Sequence, residues 1–151
     1  MQHALIQERV VEGHPIVGVK MGFTSVAKMK QMGVDDMIIG QLTADMLIPT
    51  NGTFVHDQFI HPRAEPEIAF RLSKDIDGVL TVDELSEYID GVAAAIEVID
   101  SRYENFKFSL EDVVADNCSS AAYVLGDWCA VPLGLNGLDM VMSFDGAPVA
   151  E

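Results

Sequence analysis

The pattern of apolar and polar positions along the chain predicts a fold rich in β-strands. Runs of β-branched and aromatic residues bounded by turn residues are typical of strands. Short apolar segments interrupted by glycine, proline or Asn-Gly indicate further short strands and turns over residues 34–62. The predicted longer strands span residues 16–23, 67–72, 92–99, 121–125 and 138–144.

Three segments have the spacing and end signals of helices. Residues 2–12 resemble the end of a helix that stops at Gly13, and residues 82–89 carry acidic positions beside Leu85 and Ile89. Residues 26–32 predict a short helix capped by Thr24 or Ser25. The chain is therefore expected to be mainly β with flanking helices, which is an α+β fold class.

The end of the chain carries a hairpin signal. Asp145-Gly146 is a tight-turn pair, and its return strand begins at Ala147 only a few residues before Glu151. A second strand this short leaves the strand over residues 138–144 as an exposed edge. We therefore expect a fragment, or a fold completed by another chain or by exchange of strands between subunits.

The charge of the chain excludes some classes of partner. Nine basic residues stand against 24 acidic ones, and the formal net charge is −15. Such a chain repels phosphate backbones and anionic lipids, so neither a nucleic acid nor a membrane is an expected partner. The sequence has no apolar run long enough to span a bilayer, and residues 1–14 carry charge where a signal peptide needs an apolar run. We therefore expect a soluble, cytoplasmic protein. Cys118 and Cys129 are expected to be reduced thiols rather than a disulfide.

Two carboxylates stand two residues apart in the segment HPRAEPEIAF. On a strand this spacing places Glu65 and Glu67 on one face, where like charges need a cation between them. An oxygen-preferring ion such as Mg2+ or Mn2+ suits that position. The alternative is that both carboxylates lie on the solvated edge of a strand.

A third carboxylate interrupts an apolar run. Glu97 lies within AAAIEVI, where an unpaired charge is costly to bury. With Glu65 and Glu67 it would complete an open site of three oxygen ligands. Alternatively, Arg102 is its structural partner.

Two further segments carry candidate groups. Lys20 lies between Gly18 and Gly22 in an apolar strand, and buried lysines are rare unless paired or catalytic. The alternative is a lysine that points to solvent. The hydroxyls of Ser119 and Ser120 follow a turn-like Asp-Asn pair, where capping and turn formation are the common roles.

Four ordered segments, VGVKMGFTS, HPRAEPEIAF, IEVIDSR and VADNCSSAAYVLG, together resemble the fumarylacetoacetate-hydrolase-like superfamily. They are most similar to its hydratase and decarboxylase branch, from catechol meta-cleavage pathways. KMGFTSVAKMKQMGV and SRYENFKFSLEDVVADN favour the decarboxylase side of that branch. The resemblance covers residues 16–126 and implies a single domain over residues 1–151, truncated at both ends. The implied fold is a mixed, distorted β-barrel or roll that is incomplete in this chain.

The resemblance also implies chemistry. It implies Mg2+ or Mn2+ held by Glu65, Glu67 and Glu97, a catalytic Lys20, and Ser119 or Ser120 beside the carboxylate of a small 2-oxo acid. The reaction implied is the decarboxylation of 2-oxohex-3-enedioate to 2-oxopent-4-enoate. The alternatives are hydration of 2-hydroxypenta-2,4-dienoate and a non-catalytic partner subunit. The family further implies a homo-oligomer, or a complex between the decarboxylase and its sister hydratase.

One position departs from the family pattern. Relatives tend to carry an acid directly after the residue that matches Thr43, whereas this chain has Ala44 there and Asp45 one position later. Asp45 is therefore the candidate for the catalytic acid. On a strand, a shift of one residue would turn its side chain to the opposite face, whereas in a loop the shift could be harmless.

Overall fold

The structure is a computed structural model that describes residues 1–26, 29–30, 33–131 and 139–150. More of these residues lie in strands than in helices, so the predicted α+β class with a strand majority is confirmed. The helices are α1 Gln2–Val11, α2 Val82–Ser86 and α3 Leu110–Ala115. The strands are β1 Ile16–Gly22, β2 Ile38–Thr43, β3 Leu47–Ile48, β4 Arg63–Leu72, β5 Ile89–Ile99, β6 Ser120–Leu125, β7 Met142–Phe144 and β8 Ala147–Ala150.

The strands form three sheets. β1 and β2 are an antiparallel pair, β7 and β8 are another, and the third sheet has the order β3-β6-β5-β4. In the first pair Lys20 lies directly opposite Gly40. This register matters for the site, because a glycine leaves free the space beside the lysine side chain.

The chain folds as two compact units, of which the first comprises residues 1–65 and 97–123. Its main apolar cluster is built from buried Ile38, Val113 and Cys118. Helix α3 begins with a capping box in which Ser109 and Asp112 exchange hydrogen bonds, so its first turn is fixed against this cluster. Helix α1 is held to β2 by a bond of 2.8 Å from the Gln2 side-chain amide to the backbone oxygen of Ile39.

The second unit comprises residues 66–96 and 124–151. Within it, Arg71 pairs with Asp90 at 2.6 Å, and Val92 bridges Cys129 through backbone hydrogen bonds. Both cysteines are free thiols, as predicted, with Cys118 buried and Cys129 exposed. No helix in the described part of the chain is both long enough and apolar enough to cross a membrane.

The hairpin at the end of the chain is more complete than expected. Asp145 and Gly146 have positive φ angles, as a tight hairpin turn requires. Phe144 pairs with Ala147, and Ser143 pairs with Pro148. The predicted hairpin is therefore present, with β8 paired along one side of β7. Within the described residues this sheet has these two strands alone, so the predicted open edge of β7 remains.

Two other predictions fall partly on residues that the structure does not describe. The predicted helix over residues 26–32 includes 27–28 and 31–32, which lie outside the described residues. The predicted strand over residues 138–144 begins at Leu138, also outside them, and its described part is β7.

Candidate metal centre

Three carboxylates from β4 and β5 lie close together. Glu65, Glu67 and Glu97 each offer an oxygen, and these three oxygens all lie within 4.8 Å of one another. The alternation of β4 predicts that its two glutamates share a face, and burial of Glu97 was expected from its apolar neighbours. Glu97 is only 5% exposed, and the two glutamates of β4 are half-buried. Neither glutamate of β4 is therefore fully exposed, although β4 is the last strand of its sheet.

Lys20 is the partner of the buried carboxylate. Its Nζ lies 3.0 Å from Oε2 of Glu97, and the two side chains are 12% and 7% exposed. A lysine that points to solvent is thereby excluded. Arg102, the alternative partner of Glu97, instead donates a hydrogen bond to Asp116. Lys20 and Glu97, which lie far apart in the sequence, are thus an ion pair in the structure.

Ser120 completes the surroundings of Glu97. Its hydroxyl donates a hydrogen bond of 3.1 Å to Oε1, the oxygen that Lys20 does not hold. Burial raises the pKa of the Glu97 carboxyl, Lys20 and Ser120 oppose the rise, and the neighbouring charge of Glu65 adds to it. The pKa of Glu97 remains above its ordinary value. An additional positive charge beside these carboxylates would favour their ionised form.

Gly40 allows the backbone to approach this site closely. A Cβ at this position would lie 2.8 Å from the backbone oxygen of Asn117, 3.0 Å from Cγ of Lys20 and 3.1 Å from Oγ of Ser120. No side chain fits there without movement of a neighbour. In the sequence, Gly40 indicates a break between short apolar segments, and a glycine beside apolar strand residues is also a signal of close approach.

An unusual turn delivers Ser120 to the site. Asn117, Cys118 and Ser119 all have φ near +55°, with values of 52°, 57° and 57°. Each such residue costs about 1–3 kcal/mol and persists only when its surroundings hold it. The buried Asn117 side chain supplies part of that support, because it both accepts from the backbone nitrogen of Gln41 and donates to its oxygen, each at 2.8 Å. In the sequence, Asn117 belongs to the turn-like Asp-Asn pair, for which turn formation is the common role.

The remaining candidate residues have other partners. The hydroxyl of Ser119 donates to Asp116 at 3.2 Å and is buried, while Ser120 is the serine that contacts Glu97. Asp45 lies in a 3-10 turn after β2 and pairs with Arg9 at 2.5 Å, so its side chain is not turned to the opposite face of a strand. Partial burial opposes a lower pKa of Asp45, but Thr43 and the Arg9 charge outweigh it and keep that pKa below its ordinary value.

The donor set of the three glutamates fits a hard divalent cation. Mg2+ holds oxygen ligands at about 2.0–2.1 Å, so two ligands of one ion lie within roughly 4.2 Å of each other. The observed limit of 4.8 Å is close to this spacing. Three protein oxygens would leave further coordination positions for water or for a chelating ligand. The arrangement can therefore bind a cation with Lys20 and Ser120 adjacent to it.

Comparison with known proteins gives this geometry a context. The model of the fumarylacetoacetate (FAA) hydrolase C-terminal family matches residues 16–151. A 4-oxalocrotonate decarboxylase from a Pseudomonas species is 49% identical over 149 residues, which cover 99% of this chain and 58% of that protein. The TodF product hydratase of Pseudomonas putida F1 is 40% identical over 157 residues, covering 100% of this chain and 58% of that protein.

A solved structure is also similar. The 4-oxalocrotonate decarboxylase from Pseudomonas putida G7, in complex with magnesium and adipate, superposes with a TM-score of 0.87 at 37% identity. The match covers 98% of this chain and 57% of that one. This chain thus spans less than two thirds of the length of these relatives.

Proposed function

This chain belongs to the FAA hydrolase C-terminal family, and we propose that it is part of a metal-dependent lyase that decarboxylates 2-oxohex-3-enedioate. The observation that carries the proposal is the group of three carboxylates with Lys20 bound to Glu97 at 3.0 Å. Identity to a decarboxylase is higher than identity to a hydratase, at 49% against 40%. The G7 decarboxylase, with magnesium and a six-carbon dicarboxylate in its complex, supports the same substrate class.

Glu65, Glu67 and Glu97 are proposed to hold Mg2+ or Mn2+. A metal ion bound there supplies a Lewis acid for the carbonyl oxygen of a 2-oxo acid. The half-buried and buried positions of these glutamates keep much of the surrounding water away, which strengthens charge interactions within the site.

The substrate reaction needs charge stabilisation and one proton. The bond between C5 and C6 breaks, C6 leaves as CO2, and the electron pair moves through C4 and C3 to the carbonyl oxygen on C2. The ammonium of Lys20 is nearly buried and oriented by Glu97, so it can stabilise that developing negative charge and donate a proton to it. Ser120 orients the opposite oxygen of Glu97, and Gly40 leaves the space in which the lysine stem lies.

The remaining family properties are proposals too. The strands of this chain are proposed to be part of the family's distorted β-barrel. Ser119 or Ser120 is proposed to lie beside the substrate carboxylate. Asp45 is retained as a catalytic candidate only through the family pattern, since its ion pair with Arg9 gives it a structural role. The protein is also proposed to form a homo-oligomer or a complex with the sister hydratase. The molar mass from sedimentation, alone and mixed with the hydratase, tests these two assemblies.

Two measurements test the proposal. Titration calorimetry with MgCl2 is expected to show one site that Glu65→Gln and Glu97→Gln each weaken by more than tenfold, whereas Glu8→Gln, at an exposed position on α1, leaves it unchanged. Release of CO2 from 2-oxohex-3-enedioate is then expected only with Mg2+ or Mn2+. Hydration of 2-hydroxypenta-2,4-dienoate without CO2 release would assign the hydratase function instead. Absence of metal binding by the folded chain would overturn the proposal.

A further inference from the structure

One arginine beside the candidate metal centre has an unusual partner. The other three arginines each pair with a carboxylate, as Arg9–Asp45, Arg71–Asp90 and Arg102–Asp116. Arg63 instead lies with its guanidinium 4.0 Å from the centre of the Phe106 ring. Within the described ranges, no carboxylate lies at salt-bridge distance from Arg63. In a chain with 24 acidic residues, this leaves one guanidinium available for an anion from outside.

The surroundings of Arg63 form a cleft with a fixed aromatic wall. The cleft has a volume of about 390 Å³ and is lined by residues that include His61, Arg63 and Phe106. The ring of His61 stacks on Phe106 at 4.7 Å, and its Nε2 lies 2.7 Å from the backbone oxygen of Ser101. The backbone nitrogen of His61 also donates to Asp100 at 2.8 Å. Stacking on this anchored pair restricts the guanidinium before any ligand binds.

The spacing along β4 relates this cleft to the metal centre. Arg63 and Glu65 are two residues apart on the strand, so they share a face and their Cα atoms lie roughly 6.6–6.8 Å apart. The two end carbons of an extended six-carbon chain, with bonds of about 1.5 Å, are separated by roughly 6 Å. An extended six-carbon chain is therefore about as long as the spacing of these two positions along β4.

We propose that Arg63 binds the remote carboxylate of a dicarboxylic 2-oxo acid whose 2-oxo-acid end lies at the three glutamates. This inference rests on the proposed function and adds the group that selects a dianion over a monoanion. A planar guanidinium suits the task because it can bind both oxygens of a carboxylate in parallel. Phe106 holds the guanidinium from its ring face, which leaves the N–H edge free to donate.

The proposed contact has a distinctive kinetic consequence. In the decarboxylation the remote carboxylate becomes neutral CO2, so its attraction to Arg63 weakens as the reaction proceeds. Most of the attraction persists in the transition state, where the bond between C5 and C6 is only partly broken, so the contact tightens binding without raising the turnover rate. Loss of Arg63 is therefore expected to raise KM and leave kcat unchanged or slightly higher.

The experiment compares Arg63→Gln with Arg71→Gln, which removes a different exposed arginine of the same strand. A charge-assisted hydrogen bond lost on substitution corresponds to about 10- to 100-fold in affinity. KM for 2-oxohex-3-enedioate is expected to rise by that factor in Arg63→Gln with kcat within about twofold, and Arg63→Lys is expected to restore part of the loss. Affinity for the monocarboxylic 2-oxo acid 2-oxopentanoate, measured calorimetrically with Mg2+, is expected to be unchanged in all three variants.

Each other result has a clear meaning. Equal losses of dicarboxylate and monocarboxylate binding would give Arg63 a purely structural role and overturn the inference. Unchanged KM in Arg63→Gln would overturn it as well. If the wild-type chain binds metal and releases CO2, either result leaves the proposed function standing. A wild-type chain that binds no metal would instead remove the premise and the inference with it.

Discussion

Replacement of Lys20 by methionine tests the central contact of the site. Methionine keeps most of the length and apolar character of the lysine stem but removes the ammonium that lies 3.0 Å from Glu97. The carboxylate then remains in place with a single described hydrogen bond, from Ser120. Because burial already raises the pKa of Glu97, loss of its cation leaves the ionised form strongly disfavoured.

The size of the effect follows from the distance and the burial. Two unit charges 3.0 Å apart attract each other by about 5.5 kcal/mol at an effective dielectric constant of about 20. Part of this attraction offsets the cost of burying both groups, which are 12% and 7% exposed. Removal of one partner from a buried pair typically costs about 3–5 kcal/mol. We therefore expect Lys20→Met to lower the free energy of unfolding by about 3–5 kcal/mol at pH 7 without metal.

Urea unfolding followed by circular dichroism measures this loss. Lys107→Met, a substitution of an exposed lysine, is the matched control and is expected to change stability by less than about 0.5 kcal/mol. The double variant Lys20→Met with Glu97→Gln removes both charges, so a coupling energy of about 2–3 kcal/mol is expected.

The pH dependence of the Lys20→Met variant has a definite sign. The pKa of Glu97 in the folded variant lies above its value in the unfolded chain, so stability is lost as pH rises through that interval. The deficit of the variant is therefore expected to shrink as pH is lowered and Glu97 takes up a proton. Added Mg2+ is expected to recover part of the deficit at pH 7, because a cation beside Glu97 replaces the lost charge. A variant within 1 kcal/mol of wild type, or a coupling energy near zero, would refute this account of the ion pair.

Four further predictions concern the metal centre and the two thiols. Gly40→Ala places a Cβ 2.8 Å from the backbone oxygen of Asn117 and 3.0 Å from Cγ of Lys20. We therefore expect at least a tenfold loss of decarboxylation with secondary structure retained. An active variant would show that the turn containing Asn117 can move aside. Burial raises the pKa of Cys118 from 9.0 to about 11, so the free energy of unfolding is expected to fall by about 1.4 kcal/mol per pH unit between these two values. Urea unfolding of Cys118→Ala at the same pH values should show a smaller fall, because this thiol is absent. At neutral pH a thiol reagent should label Cys129 before Cys118, and equal rates would contradict the assigned burial. Removal of metal with EDTA should abolish CO2 release reversibly, with full recovery on addition of Mg2+, and activity that survives chelation would contradict a metal-dependent reaction.

Local sequence patterns determined most of the elements and part of the site. Apolar runs predicted the central portions of β1, β4, β5 and β6, because β-branched and aromatic side chains favour an extended backbone through local effects. The alternation of β4 placed Glu65 and Glu67 on one face. The cost of burying a charge indicated that Glu97 needs a partner or a cation.

Only the tertiary structure decided which groups meet. The sequence offered Arg102 as a partner of Glu97, yet Lys20 takes that place because the register of β1 with β2 sets the lysine opposite Gly40. Ser120 rather than Ser119 contacts Glu97, because three successive residues adopt positive φ angles, which Cys118 and Ser119 have no local preference for. The buried side chain of Asn117 holds that turn to β2 across a long sequence separation. Such contacts depend on strand register and close backbone packing, and these are properties of the folded chain rather than of any one segment.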